Sequence, residues 1–431
     1  MPPAAPAAST AASTLSAVST PAPTVPPKPI ADDPVVNQFA DDPLMKALLE
    51  LRQKEGRDNA MVYYVAAGKI LPTAPDKPTM DLMQAVLNNG CTAQSAPLLS
   101  LRSEYQAGFE EIRKGAAIDY ARNVGWVLGL GPATPMPNYR AASMAAKMMC
   151  AEGRYLEARG QYAHALDNYL TVLTMGRDYT APRPLLIGFL VGSAIQNISL
   201  KQVHRMATNG LLDRPALERL LARLKAIENT EGSLVEAFRG ESEMLGQQLK
   251  DFREHPAEAR KSLQDLPGVS PDDVIQQLDR IEAEHKQIWD LIFKQLGTPY
   301  WQRDDAAFRR QCDRMLERFH PLLRNVVPPY AEIDARNLVV KTNLLEVQLA
   351  TALAAYKLEK GKYPPQLAGL APAFFQTLPQ DPFVGSDFKY FATPDGSRYS
   401  LYSVGPDRTD NGGKVRYDPQ NDAVSAGDVF Y

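Results

Sequence analysis

From about Asp42 to Tyr330, apolar residues recur at helical spacing, Pro and Gly punctuate the runs, and hardly any stretch alternates as a strand would. Such a chain can bury its apolar faces only by stacking helix on helix, so an all-α body is expected. Its best-patterned part places Ala158, Tyr162, Ala165, Tyr169 and Leu173 on one face of a helix that follows another ending near Gly153. Leu185 to Ile195 is the longest apolar run. It is about half the roughly 20 residues that a bilayer helix needs, so it is expected as a buried helix. Gly188, Gly192 and Ser193 would let a neighbouring helix come close there. Asp213 stands where it caps the next helix, with Pro215 tolerated in the first turn. Trp289, Phe293, Tyr300 and Trp301 are expected chiefly as core residues.

After Pro328 and Pro329 the pattern changes. A helix of about 45 Å is expected from about Ala331 to Lys360, with Leu338, Leu345, Leu349, Ala352 and Tyr356 forming one apolar stripe. Gly361 can close it in the left-handed conformation, and Pro364 prevents continuation. Phe388 to Phe391 and Arg398 to Val404 then read as strands joined through a "TPDG" turn. The fold class is therefore α+β: a large all-α body, then a long helix packed on a small antiparallel sheet. Three segments are expected: a disordered Pro/Ala/Ser/Thr-rich tether over residues 1–35, the helical body over 36–330 and the C-terminal unit over 331–431.

With 47 basic and 50 acidic residues the formal net charge is −3, which lacks the basic footprint of a nucleic-acid binder. Cys91, Cys150 and Cys312 are widely separated, with neither zinc-site nor disulfide spacing; Cys150 is expected as a buried, inert thiol. The five histidines are scattered, and no HExxH, GxSxG, Walker-type loop or GxGxxG fingerprint occurs; "VLGLGPATP" at 127–135 has glycines but leads into prolines. A non-enzymatic protein is expected. The N-terminus has neither a basic leader nor an apolar core, so it is no secretory signal as it stands, and membrane association would have to run through a leader or anchor ahead of Met1.

Two resemblances add to this reading. Gly160, Tyr162, Ala165 and Tyr169 resemble the core of a tetratricopeptide-type helical hairpin, present in one copy with no 34-residue recurrence. The C-terminal segment from about residue 335 is similar to the globular domain of type II secretion major pseudopilins. Tyr356, Lys357, Gly361, Tyr363 and Pro364 match a first motif; Leu378, Pro379, Asp381, Pro382 and Phe383 a second; Ser403, Val404, Gly405 and Asp407 a third. The resemblance implies a structural Ca²⁺ in the loop "YSVGPDRTDNGG", with ligands from the carbonyl of Val404 and the side chains of Asp407 and Asp428. Asp410, Asn411 or Asp422 would complete the set, because Gly427 stands where the family usually has a second acid. The alternative is that Asp407, Asp410 and Asn411 bond to their own backbone in Asx-type turns. Pseudopilins begin with an apolar membrane-anchoring helix, whereas "ARNLVVKTNLLEVQLATALAAY" is too polar for that role, so a filament subunit is not expected.

The function expected is that of a bacterial envelope or periplasmic protein making protein–protein contacts in a secretion or surface assembly. Two alternatives stand beside it: a tetratricopeptide-like peptide-binding module, and a hydrolase with a composite site on the helical body. A cleft joining His204 to an acid would raise the hydrolase.

Overall fold

The computed structural model describes residues 32–72, 75–123, 135–181, 184–230, 232–418 and 425–430. Nearly all of the N-terminal tether, Asp422 and all but the last residue of "VLGLGPATP" lie outside these. The chain is helix-rich, with a small antiparallel sheet component near its C-terminus.

The helices α1 (Pro34–Asn37), α2 (Pro43–Glu55), α3 (Ala60–Ile70), α4 (Lys77–Asn89) and α5 (Ala96–Ala116) lead into α6 (Tyr139–Ala158), α7 (Tyr162–Thr180), α8 (Leu186–Thr208) and α9 (Arg214–Thr230). The Leu185–Ile195 run opens α8 and is mostly buried, although Ile187 is 47% exposed and Leu186 and Phe189 pack against the helices that follow α9. Asp213 caps α9, its carboxylate accepting the Ala216 N–H at 2.9 Å. The first helix of the α6–α7 pair does not end near Gly153: α6 runs through it to Ala158, because the glycine lets the Tyr169 ring of α7 pack against the helix. Ala158 therefore lies before the turn and is exposed with Tyr162, while Ala165, Tyr169 and Leu173 of α7 are buried. The apolar face is therefore shorter than its spacing implies. At the α7–α8 crossing a Cβ on Gly192 would lie 2.6 Å from the Gly176 carbonyl oxygen, so the two backbones touch. That is the close approach expected of the small residues. Cys150 is wholly buried, and burial pushes its thiol pKa far up.

A second group, α10 (Leu234–Glu254), α11 (Pro256–Leu263), α12 (Pro271–Gln276), α13 (Leu278–Leu296), α14 (Asp305–Arg318) and α15 (Pro321–Val326), packs around two smaller cores. Trp289 belongs to one of them, and Tyr300 is buried against the C-terminal unit. Trp301 is 43% exposed, although its ring lies against the turn at Gly385.

The long helix α16 (Tyr330–Lys360) starts directly after the two prolines and ends at Gly361 with φ +76°. Every residue from Thr342 to Leu353 is buried. One apolar stripe cannot account for that, and the reason is long-range. Leu344, Val347 and Ala355 belong to the core of the helices before α10, while Leu345, Leu349, Ala352 and Leu353 pack on Leu367, Leu370, Phe375 and Phe388 of the C-terminal unit. At about 2 kcal/mol for each fully buried leucine, both faces contribute substantially. Packing is thus continuous across residue 330. Of the polar side chains caught inside, Asn343 donates to Asn197 (2.8 Å) and Gln348 to Glu228 (2.7 Å), whereas the Thr342 hydroxyl is buried without a partner. The stretch Pro321–Lys360 contains a segment apolar enough for a membrane span, but 78% of that segment is buried inside the protein, which marks a core helix.

Beyond α16 come β1 (Gln380–Asp381) paired with β2 (Ser386–Asp387), and β3 (Lys389–Ala392) paired with β4 (Tyr399–Tyr402), both antiparallel. Lys389 faces Tyr402 and Ala392 faces Tyr399 across the "TPDG" turn. The chain end returns to this hairpin: Val429 bridges to Ser403, and Asp428 to Arg416.

Candidate functional site at the junction of the helical body and the hairpin

The 403–413 loop leaves β4 between three buried carboxylates, each 0–1% exposed. Glu346 of α16 accepts the Ser403 N–H (3.0 Å). Asp381 accepts the Phe383 N–H (2.9 Å) and the Val404 N–H (3.1 Å). Asp428 accepts the Asn411 N–H (3.1 Å) and the Gly413 N–H (2.7 Å). Burial raises the Asp381 pKa, and the N–H donors and the Ser403 hydroxyl oppose that shift. Gly405, at φ +79°, has no room for a side chain, because a Cβ there would collide with the Gly427 carbonyl.

The other side of the loop is clamped to the helical body. Tyr300 donates its hydroxyl to the Pro406 carbonyl (3.1 Å). Arg408, held at φ +58°, donates to the Arg303 carbonyl (2.9 Å) and to Asp305 (2.6 Å), with its guanidinium 4.7 Å from the Tyr300 ring centroid. Arg303 forms a buried ion pair with Asp334 of α16. Burial raises the Asp334 pKa, opposed by Arg303.

The expected calcium ligands fall out differently. Val404, whose carbonyl is the expected ligand, is buried, and its N–H donates to Asp381. Asp407 accepts the Thr409 N–H (3.0 Å), and Asp410 accepts the Gly412 N–H (2.9 Å) while pairing with Lys389 (3.2 Å). These are Asx-type turns. Both Asp428 oxygens face backbone N–H groups of the same loop. Among the described residues, the one set of three metal-ligating side chains with donor atoms within 4.8 Å of one another is the exposed Asp251, Glu254 and His255 at the end of α10. As placed, the Asp407, Asp410 and Asp428 carboxylates are each engaged with backbone N–H groups, while Oδ1 of Asn411 is buried without a partner. Of the residues that hold the loop, Asp428 is legible from the resemblance. Asp381 lies in the second motif, but nothing local marks its role, and Glu346, Arg303 and Asp334 carry no signal short of the fold.

Below the hairpin two adjoining clefts, each about 550 Å³, open between α8, α16 and the chain end. His204, Thr208 and Phe430 line both. Glu346, Lys357, Tyr363 and Arg398 belong to the first; Lys201, Gln202, Asn343 and Arg416 to the second. Burial lowers the His204 pKa to about 4, so the imidazole is neutral at physiological pH.

Comparisons of the chain with protein-family models, with curated proteins and with solved structures find no match.

Proposed function

We propose that the protein is a non-enzymatic component of the bacterial cell envelope, in which a pseudopilin-like C-terminal unit is fixed onto a tetratricopeptide-like helical body and makes protein–protein contacts in a secretion or surface assembly. The observation that carries this reading is the burial of α16 on both faces. A helix enclosed in that way is unavailable for packing into a filament, so the unit serves as a fixed module.

Phe391, 59% exposed on β3, offers a place to test it. A photo-crosslinking residue at position 391 is expected to trap an envelope protein in cells and leave no ladder of self-linked chains. A ladder, or a chain confined to the cytoplasm, would overturn the reading.

Calcium enters this proposal as an added stabiliser of the loop. It requires Asp407 and Asp410 to swing off Thr409 and Gly412. A rise in Tm at millimolar Ca²⁺ that disappears in Asp407→Ala would establish it; an unchanged Tm would leave the loop to its protein contacts.

A hydrolase remains a second reading, favoured by the presence of His204 and Glu346 in one cleft. A neutral imidazole suits a general base. Glu346, however, is already engaged with the Ser403 N–H, which places this reading second.

A further inference from the structure

We infer that the free edge of β3 takes up an extended segment of a partner protein as one more strand of the β3–β4 hairpin, and that this segment is acidic with an aromatic or β-branched residue at its centre. The inference rests on the protein-contact reading above and names the kind of segment bound.

The backbone defines the edge. Ser403 exchanges both of its hydrogen bonds with Val429 on the side of β4 away from β3, and Thr393 donates its N–H to the Arg398 carbonyl inside the hairpin. In the register that pairs Phe391 with Ser400 and Lys389 with Tyr402, both observations set the same alternation. Lys389 and Phe391 bond to β4, while Tyr390 and Ala392 turn their N–H and C=O groups outward. β3 pairs with β4 alone, and among the described residues these outward groups have no hydrogen-bond partner. Donors and acceptors left open at strand spacing are a template for a further strand.

The side chains define what that strand carries. Phe391 is 59% exposed, the most exposed large apolar side chain among the described residues, and its ring stacks on Tyr402 with 6.3 Å between centroids. An added strand would set its own central residue opposite Phe391 in a non-hydrogen-bonded pair, where side chains come closest, so an aromatic or β-branched residue there would cover the ring. Cations lie to either side. Lys389 shares the face of Phe391, and alternation puts Arg398, one residue before β4, at the other end of that face. Lys389 pairs with the partly exposed Asp410 (3.2 Å), whereas Arg398 is exposed and among the described residues has no carboxylate within ion-pair distance. Asp395 in the turn is engaged with the Ser397 N–H (3.0 Å). Acids placed two residues before and two after the centre of the added strand would complement both cations. A second copy of this chain would not. Docked edge to edge about Phe391, it would set Lys389 in one cross-strand row with the other copy's Arg398, and like charges in a row repel.

Titration of the full chain with synthetic peptides, followed by TROSY NMR, tests the assignment. The peptide Thr-Glu-Val-Phe-Val-Glu-Thr is expected to bind with a Kd below about 1 mM and to shift the Tyr390 and Ala392 amides. N-methylation of its valines removes the N–H groups that would face β3, and exchange of its glutamates for lysines reverses the charge; each change should weaken binding by roughly tenfold or more. Ala392→Pro deletes an outward donor that takes no part in the hairpin, and should weaken the peptide roughly fivefold with Tm little changed. Absence of binding would overturn the inference, as would equal binding of the methylated or lysine peptide, or full affinity in Ala392→Pro. The titration requires no cellular partner. In cells, a partner trapped at position 391 equally well with and without Ala392→Pro would overturn this inference and leave the protein-contact reading standing.

Discussion

Asp428→Ala is expected to destabilise the protein by about 3 kcal/mol, because it strips the Asn411 and Gly413 N–H groups of their acceptor at a site closed to water. Asp428 is fully buried, so water cannot take over either bond. The loss should appear as a lower denaturant midpoint and as new proteolytic cleavage between residues 405 and 418, the stretch that Asp428 ties to the chain end. Asp428→Asn keeps one carbonyl acceptor and should lie between the two. Asp407→Ala is the informative contrast: its carboxylate serves only the Thr409 turn at the surface, and its loss should cost less than about 1 kcal/mol. If the two alanine variants lost stability equally, and only when Ca²⁺ was present, the loop would be anchored by an ion and not by Asp428.

Asp334→Ala should cost more, about 3–5 kcal/mol. The side chains of Arg303 and Asp334 are only 6% and 7% exposed, so removing the acid strands a guanidinium in a dry site. Its remaining donors reach the Thr298 and Leu296 carbonyls, which satisfy its hydrogen bonds but not its charge. The damage should spread into the loop, because the Arg303 carbonyl is one of the groups that hold Arg408. Pairing Asp334→Ala with Arg303→Met removes the buried charge altogether and should recover most of the loss. Equilibrium denaturation of the two single variants and the double variant measures the coupling directly.

Local signals in the sequence carried much of the fold. Asp213, Gly361 and the "TPDG" turn act where caps and turns act, since each effect is confined to a few neighbouring residues. The interior of α16 was not legible in that way. Thr342, Asn343, Glu346, Gln348 and Thr351 are polar and lie outside the apolar stripe that the spacing picks out, yet all are buried. Asn343, Glu346 and Gln348 meet partners more than fifty residues away, and Thr351 bonds back to Val347. Only long-range placement converts such a face into an interior one. The site divides in the same manner. The motif around Asp407 located the loop, while Asp381, Glu346 and the Arg303–Asp334 pair hold it through contacts that no spacing announces.

The C-terminal unit and the helical body should unfold as one, because α16 contributes to the core of both. Native-state hydrogen exchange in rising denaturant tests this most directly. The buried amides of Thr342–Leu353, the Ser403 and Val404 amides bonded to Val429 and Asp381, and the central amides of α8 are expected to share one opening free energy. Exchange of Ser403 and Val404 through a separate, lower-energy opening, with α8 still protected, would contradict it.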